Sequence, residues 1–231
     1  MVIFFDLDDT LVDSQTAVAA AVSELHATLH IDQALEDFAL LWTEAHSRYY
    51  PRYLEGTLSF EDLRRSRVRH VLPSDLSDDE ADAIFATYFA AYENNWAIFE
   101  DVLPCLDRLR AYSVGVISNG PSKEQRRKLA RFGIDKRFQT ILISEECGCP
   151  KPNAGIFARA CEMAGVAPAD AVYVGDHFEI DVCGSRAAGL RGIWLNRKAE
   201  PAALTDASMV RTLSEIPSAI ASGITTRCSG P

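Results

Sequence analysis

The 231-residue chain has no membrane-length apolar run, no cysteine framework and no basic excess. Each absence narrows the field. A spanning helix needs about 20 consecutive apolar residues, so no membrane partner is expected. Nucleic acids and anionic membranes are gripped through broad basic surfaces, and a formal net charge of −10 argues against both. The first residues carry no basic cluster and meet acids by Asp6, so no signal peptide is expected there. Six cysteines (Cys105, Cys147, Cys149, Cys161, Cys183 and Cys228) are scattered, and Cys147-Gly-Cys149 lacks zinc spacing and any second Cys/His pair. Free thiols in a reducing cytoplasm are the expectation. Repeats and low-complexity tracts are missing too, and residues 14–95 contain no lysine.

A hydrophobic content of 48% and a charged content of 24% are ordinary for a globular protein. The length suffices for a core domain plus a smaller inserted one. Val2-Ile3-Phe4-Phe5 shows no alternation, which suits a strand buried on both faces of a parallel sheet. From about Glu100, strand patterns at 114–118, 140–143, 171–175, 191–195 and a short stretch at 208–211 alternate with helical ones. That alternation predicts βαβ units. Between them the chain reads as helix only. Val18, Val22, Leu25 and Leu29 share a helical spacing, as do Leu35, Phe38, Trp42, Ala45 and Tyr49. Ser77-Asp-Asp-Glu80 is a capping-box pattern ahead of Ile84, Phe85, Tyr88 and Tyr92. The expected organisation is an α/β core of residues 1–13 and 97–224, interrupted by an all-helical domain over 14–96. Hinges are expected near Asp13–Thr16 and Trp96–Asp101, and a loose polar tail over 225–231.

Polar groups stand at four of the expected strand ends. Asp6-Leu-Asp8-Asp9-Thr10 follows the first strand, and in extended geometry Asp6 and Asp8 would point the same way, about 6.6 Å apart at Cα. Ser118-Asn119-Gly120, Lys151-Pro152 and Gly175-Asp176, with Asp181 beyond, complete the set. Each has an ordinary reading when taken alone: a turn, a loop lysine, a strand-to-helix turn. Lys123, Arg126, Arg127, Lys128 and Arg131 read as a solvated helix face. His177 reads as a structural or rim residue, Asp9 as solvated or capping, and Thr10 as a loop-bonding residue.

In this order the four motifs resemble those of the haloacid dehalogenase-like hydrolase superfamily, in its phosphatase branch, from Val2 to about Ser214. The resemblance implies a doubly wound, Rossmann-like parallel sheet with the first strand central and the helical domain as a cap. It implies Asp6 as nucleophile, Asp8 as general acid and base, and Mg²⁺ held by Asp6, Asp176 and the backbone carbonyl of Asp8. Ser118 and the backbone N–H groups of Asn119 and Gly120 would hold the phosphoryl group, with Lys151 as a point charge beside it. Asp181 would orient Lys151 or a metal-bound water, and Thr10 would support the loop.

Charge gives an independent reason for a cation. If the strand ends converge, Asp6, Asp8, Asp176 and Asp181 share one pocket, where two like charges about 4 Å apart repel by about 4 kcal/mol at an effective dielectric near 20. Lys151 supplies one positive charge. The remainder calls for a divalent metal, and all-oxygen ligation suits Mg²⁺. The expected substrate is a small phosphorylated metabolite, with a nucleoside monophosphate as the narrower expectation. Arg48-Tyr-Tyr-Pro-Arg-Tyr53 and Arg64, Arg65 and Arg67 are the helical domain's notable clusters, although packing explains its aromatics more readily. A phosphomutase shares all four motifs and stays open. A 2-haloacid dehalogenase is disfavoured by Asp8, phosphonate cleavage by the missing lysine, and a non-catalytic binding protein by the full set of acids.

Overall fold

The computed structural model describes residues 1–72, 75–199 and 208–222. The expected tail over 225–231 and Cys228 lie outside the described residues. Two compact units emerge, Met1–Val12 with Ile98–Pro231, and Asp13–Ala97.

The first unit is built on β1 (Val2–Phe5), β2 (Ser113–Ser118), β3 (Thr140–Ile143), β4 (Ala171–Gly175), β5 (Arg191–Leu195) and β6 (Met209–Val210). These pair in parallel in the order β3-β2-β1-β4-β5-β6, with β1 central. The last strand is two residues, shorter than the stretch expected at 208–211. Successive side chains on a strand face opposite sides, which explains the unbroken apolar run of β1. Ile3 and Phe5 enter one core with Val116, Val174 and Leu195. Val2 and Phe4 enter the other with Ile117, Phe157 and Tyr173. Full burial of each such side chain contributes roughly 1.5–3 kcal/mol, so β1 tolerates a polar residue only past its end.

The second unit is α1 (Ser14–Thr28), α2 (Leu35–Leu54), α3 (Phe60–Val71) and α4 (Asp78–Asn94). The Ser77–Glu80 capping box starts α4: the Glu80 N–H donates to Ser77 Oγ at 3.3 Å, and the Ser77 N–H to Glu80 Oε2 at 2.8 Å. Trp42 anchors the packing, with ring centroids of Phe38, Phe85 and Tyr88 at 6.1, 6.4 and 4.6 Å. These aromatics form the unit's own core.

Around the sheet of the first unit run α5 (Val102–Arg108), α6 (Ser122–Arg131), α7 (Ser144–Cys147), α8 (Ala154–Ala164), α9 (Gly184–Ala187) and α10 (Ile216–Ala221). A π-helical turn, Phe178–Cys183, leads into α9. Among the described residues no helix is long and apolar enough to cross a membrane.

Candidate active site

In open α/β sheets, ligands bind beyond the carboxyl ends of the strands, where the strand order reverses. Here that reversal lies between β1 and β4, which pair directly. Asp6 follows β1 and Asp176 follows β4, so topology alone brings two acids to the crevice.

Extended geometry does not persist through Asp8, contrary to the sequence expectation. The Asp6 N–H continues the ladder by donating to Val174 O at 2.9 Å, and then the chain folds back. The N–H groups of Leu11 and Val12 both return to Leu7 O, at 2.8 and 2.9 Å, and Asp9 takes a left-handed conformation with φ 57°. The two acids of the motif therefore diverge. Asp6 meets Lys151, whereas Asp8 turns to α6.

One carboxylate oxygen from each of Asp6, Asp176 and Asp181 lies within 4.8 Å of the others. Lys151 fits among them at 3% exposure. Its ammonium donates to Asp6 Oδ1 at 2.7 Å, Asp181 Oδ1 at 2.7 Å and the Tyr173 hydroxyl at 2.8 Å. An ammonium has three N–H donors, and all three are used. Tyr173 donates onward to Ile117 O at 2.9 Å. The other oxygen of Asp181 accepts from the His177 N–H at 3.0 Å, so this acid orients lysine and backbone. His177 is structural: its Nδ1 accepts from the Ile180 N–H at 3.3 Å. The close approach of Asp181 to β4 requires a glycine, because a Cβ at Gly175 would sit 2.4 Å from the Asp181 carboxyl group.

Burial first, and then the neighbouring acids, push Asp6 up to about 7 and Asp176 up to about 8; Lys151 works against both shifts. Burial also opposes the Lys151 charge, but Asp181 and Asp6 outweigh it and hold its pKa above the ordinary value. Three carboxylates against one ammonium leave a deficit of two charges when all are ionised. An all-oxygen donor set with that deficit fits a hard divalent cation such as Mg²⁺. Asp6 and Asp176 are the side chains placed to hold it, since both oxygens of Asp181 are engaged. Thr10 Oγ1 supports Asp176 Oδ1 at 3.4 Å, and Trp194 Nε1 fixes the Asp176 carbonyl at 2.8 Å.

The loop after β2 is locked to the lysine. Asn119 Nδ2 donates to Lys151 O at 3.0 Å, and the Lys151 N–H returns to Asn119 Oδ1 at 2.8 Å. Ser118 is buried at the end of β2. Gly120, expected to offer its N–H to phosphate, does not: with φ 123° it directs that N–H to Ser144 Oγ at 3.0 Å. Ser118 Oγ meets Asn119 O at 3.3 Å.

The basic helix was expected to be uniformly solvated, and here Lys128 departs. It is 1% exposed and pairs with Asp8 Oδ1 at 2.8 Å and Glu124 Oε1 at 3.1 Å. Gln125 Nε2 meets Asp8 Oδ2 at 2.7 Å, Ser118 Oγ at 2.9 Å and Asn119 O at 2.8 Å. Gln125, Lys128 and Leu129 are the buried positions of α6, so the helical stripe that carries Leu129 was the signal that a lysine there points inward. Tyr173 and Arg197 also went unread. Arg197 binds Asp101 through two nitrogens, at 3.0 and 2.9 Å, and Thr10 O at 3.0 Å, which steadies the Asp6–Thr10 loop.

Comparison with known proteins agrees with this geometry. A family model described as haloacid dehalogenase-like hydrolase matches residues 1–189. The chain is 31% identical over 208 residues to a glyceraldehyde 3-phosphate phosphatase of Methanopyrus kandleri, covering 84% of this chain and 83% of that protein. It is 30% identical over 233 residues to the pyrimidine 5'-nucleotidase YjjG of Escherichia coli, covering 93% and 95%. The structure of YfnB from Bacillus subtilis matches in fold with a TM-score of 0.77 at 22% identity, covering 93% of this chain and 96% of that one. The chain belongs to the haloacid dehalogenase-like hydrolase family.

Proposed function

We propose that the α/β unit is a Mg²⁺-dependent phosphatase centre acting on a small phosphorylated metabolite through an aspartyl-phosphate on Asp6. The observation that carries the reading is the Lys151 ammonium bridging Asp6 and Asp181 beside Asp176 at the sheet's switch point. Mg²⁺, held by the side chains of Asp6 and Asp176 and the backbone carbonyl of Asp8, would supply the missing positive charge and polarise the phosphoryl oxygens.

The chain's own groups perform the rest. Asp6 Oδ attacks phosphorus and the bond to the leaving oxygen breaks; Asp8, held here by Lys128 and Gln125, must turn from α6 to give that oxygen its proton. In the second step Asp8 takes a proton from water, the water oxygen attacks phosphorus, and the Asp6 carboxylate is released with phosphate. Ser118 Oγ and the Asn119 N–H orient the phosphoryl oxygens. Lys151 offsets charge and fixes the direction of Asp6. Phosphoryl transfer depends chiefly on such positioning and charge.

The test is phosphate release from a panel of phosphorylated metabolites, nucleoside monophosphates included, with Mg²⁺ and with EDTA. Turnover that EDTA abolishes is the expected result. Halide release from 2-chloropropionate without any phosphomonoester turnover would overturn the reading.

A further inference from the structure

The loop that brings Lys151 to the acid cluster carries two thiols that the phosphatase reading does not use. Cys147 ends α7, Cys149 follows one residue later, and Gly148 between them is left-handed, with φ 63° and ψ 22°. A left-handed residue bends the chain as one step of a mirror-image helix. With helical radius and rise, that bend sets the flanking Cα atoms about 5.4 Å apart. Disulfide-linked residues have Cα atoms about 4.4–6.8 Å apart, so the backbone already holds Cys147 and Cys149 at bridging separation. The side chains agree. The Cys147 thiol reaches Ser144 O and Cys149 O, each at 3.5 Å. Burial raises its pKa most, the Cys149 carbonyl opposes the rise, and the Cys149 thiol adds to it. Cys149 Sγ lies over the first turn of α8, 3.0 Å from the place a Cβ on Gly155 would occupy. Both are free and half-buried, unlike the buried thiols of Cys105 and Cys161.

The place of this pair gives a bridge there a consequence. On one side, α7 holds the loop after β2. Ser144 Oγ accepts from the Gly120 N–H at 3.0 Å, Glu145 Oε2 from the Ser122 N–H at 2.8 Å, and Glu146 Oε1 from the Ser122 hydroxyl. On the other side, Lys151 exchanges two hydrogen bonds with the Asn119 side chain. Residues 147–149 therefore link two clamps on one loop, and Lys151 carries the ammonium shared by Asp6 and Asp181. Closing a bridge removes the Cys147 S–H from its carbonyl acceptors and draws the two sulfurs to about 2.05 Å. The link then changes shape between its clamps. A bridge across one residue closes too short a loop to add much stability, which leaves control rather than bracing as its effect.

We infer that Cys147 and Cys149 form a reversible disulfide that switches the Lys151 loop between an active dithiol and an inactive oxidised form. The reaction is thiol–disulfide exchange with a small disulfide such as oxidised glutathione. One cysteine thiolate attacks the S–S bond of the oxidant and releases a first glutathione thiolate. The other cysteine thiolate attacks the mixed disulfide, forms the Sγ–Sγ bond and releases the second. The chain loses two electrons, the oxidant is reduced to two thiols, and the two cysteine protons end on them. In a reducing compartment the dithiol is the resting state, as for a redox-sensing disulfide. The inference rests on the phosphatase reading only in taking phosphoester turnover as the output of the switch.

The test uses the full chain with Cys183→Ser and Cys228→Ser, which leaves Cys147 and Cys149 as the only thiols that are not buried. It is treated with excess oxidised glutathione and unfolded, free thiols are capped with N-ethylmaleimide, and the tryptic peptide holding both cysteines is weighed. That peptide should be uncapped and two hydrogens lighter. Turnover of a phosphomonoester should fall by about a hundredfold in kcat/KM, as an ångström-scale misplacement of a positioning group does, and dithiothreitol should restore both. Adding Cys147→Ser and Cys149→Ser to the same background should leave activity unchanged by the treatment. A peptide capped at both cysteines, or carrying glutathione in place of the bridge, overturns the site. A bridged peptide with undiminished kcat/KM, or an equal loss with both cysteines replaced, overturns the switch. If the reduced protein turns over no phosphomonoester, the phosphatase reading fails, and the peptide mass still decides the disulfide.

Discussion

The two charged clusters of this protein differ in completeness. In the α/β unit, each donor of Lys151 has an acceptor, and those acceptors are held by backbone from β1, β4 and the turn after it. In the helical unit, Arg64, Arg67 and Trp42 carry buried donors that find none. The first cluster is a machine part, fixed before any ligand arrives. The second leaves three buried donors without an acceptor among the described residues.

Replacing the two cations with methionine should break this contrast most visibly. Lys151→Met strands Asp6, Asp181 and Tyr173 without their shared donor, and losing one partner of a buried ionic cluster costs about 3–5 kcal/mol. Arg67→Met removes donors that had no acceptor, so its stability should stay within about 1 kcal/mol of the wild type. Urea denaturation of both variants checks the pair, and equal losses would show the clusters to be alike.

Metal and pH sharpen the account of the acid cluster. Asp6 and Asp176 have pKa values raised by burial to about 7 and about 8 in the absence of a cation. A raised pKa favours the neutral acid in the fold. The stability it confers is complete below the unfolded value near 4 and is lost as pH climbs through 7 to 8. Mg²⁺ should restore what ionisation removes. At about 100 times its Kd it adds about 2.7 kcal/mol, roughly 5–10 °C in melting temperature for a chain this size. Thermal melts with and without MgCl₂ should show that gain at pH 8 and little of it at pH 5.

A smaller effect is expected from Gly175→Ala, whose Cβ would lie 2.4 Å from the Asp181 carboxyl group. Overpacking of this kind costs roughly 1–3 kcal/mol, and displacement of Asp181 should lower kcat as well. The mildest change is Lys128→Met, which removes one of the donors holding Asp8. A fall in kcat/KM of about tenfold, with Gln125 still in place, matches the loss of one charged hydrogen bond, and steady-state kinetics measures it.

The sequence reading reached further in the fold than in the site, for physical reasons. Strands buried on both faces announce themselves as apolar runs, and β1, β2, β4 and β5 do so. The capping box at Ser77 and Glu80 is a local pattern, and it formed as read. Where reading failed, the decisive contact was distant in sequence. Lys128 belongs to a basic run and looks solvated, yet its partner Asp8 lies 120 residues away. Gly120 reads as free to bind phosphate, but Ser144, the first residue of α7, accepts its N–H. Tyr173 reads as one more strand residue, because nothing local shows that its hydroxyl meets Lys151 and Ile117. The turn at Asp9 separated Asp6 from Asp8, which simple strand geometry had kept together.

The central claim is that Asp6 becomes covalently phosphorylated during turnover. Wild-type protein given a ³²P-labelled phosphomonoester with Mg²⁺ and quenched in acid should retain label on the peptide containing Asp6, with hydroxylamine releasing it. Asp6→Asn, which has no carboxylate to attack phosphorus, should retain none. Equal labelling of the two proteins, or turnover by Asp6→Asn at the wild-type rate, would contradict the account.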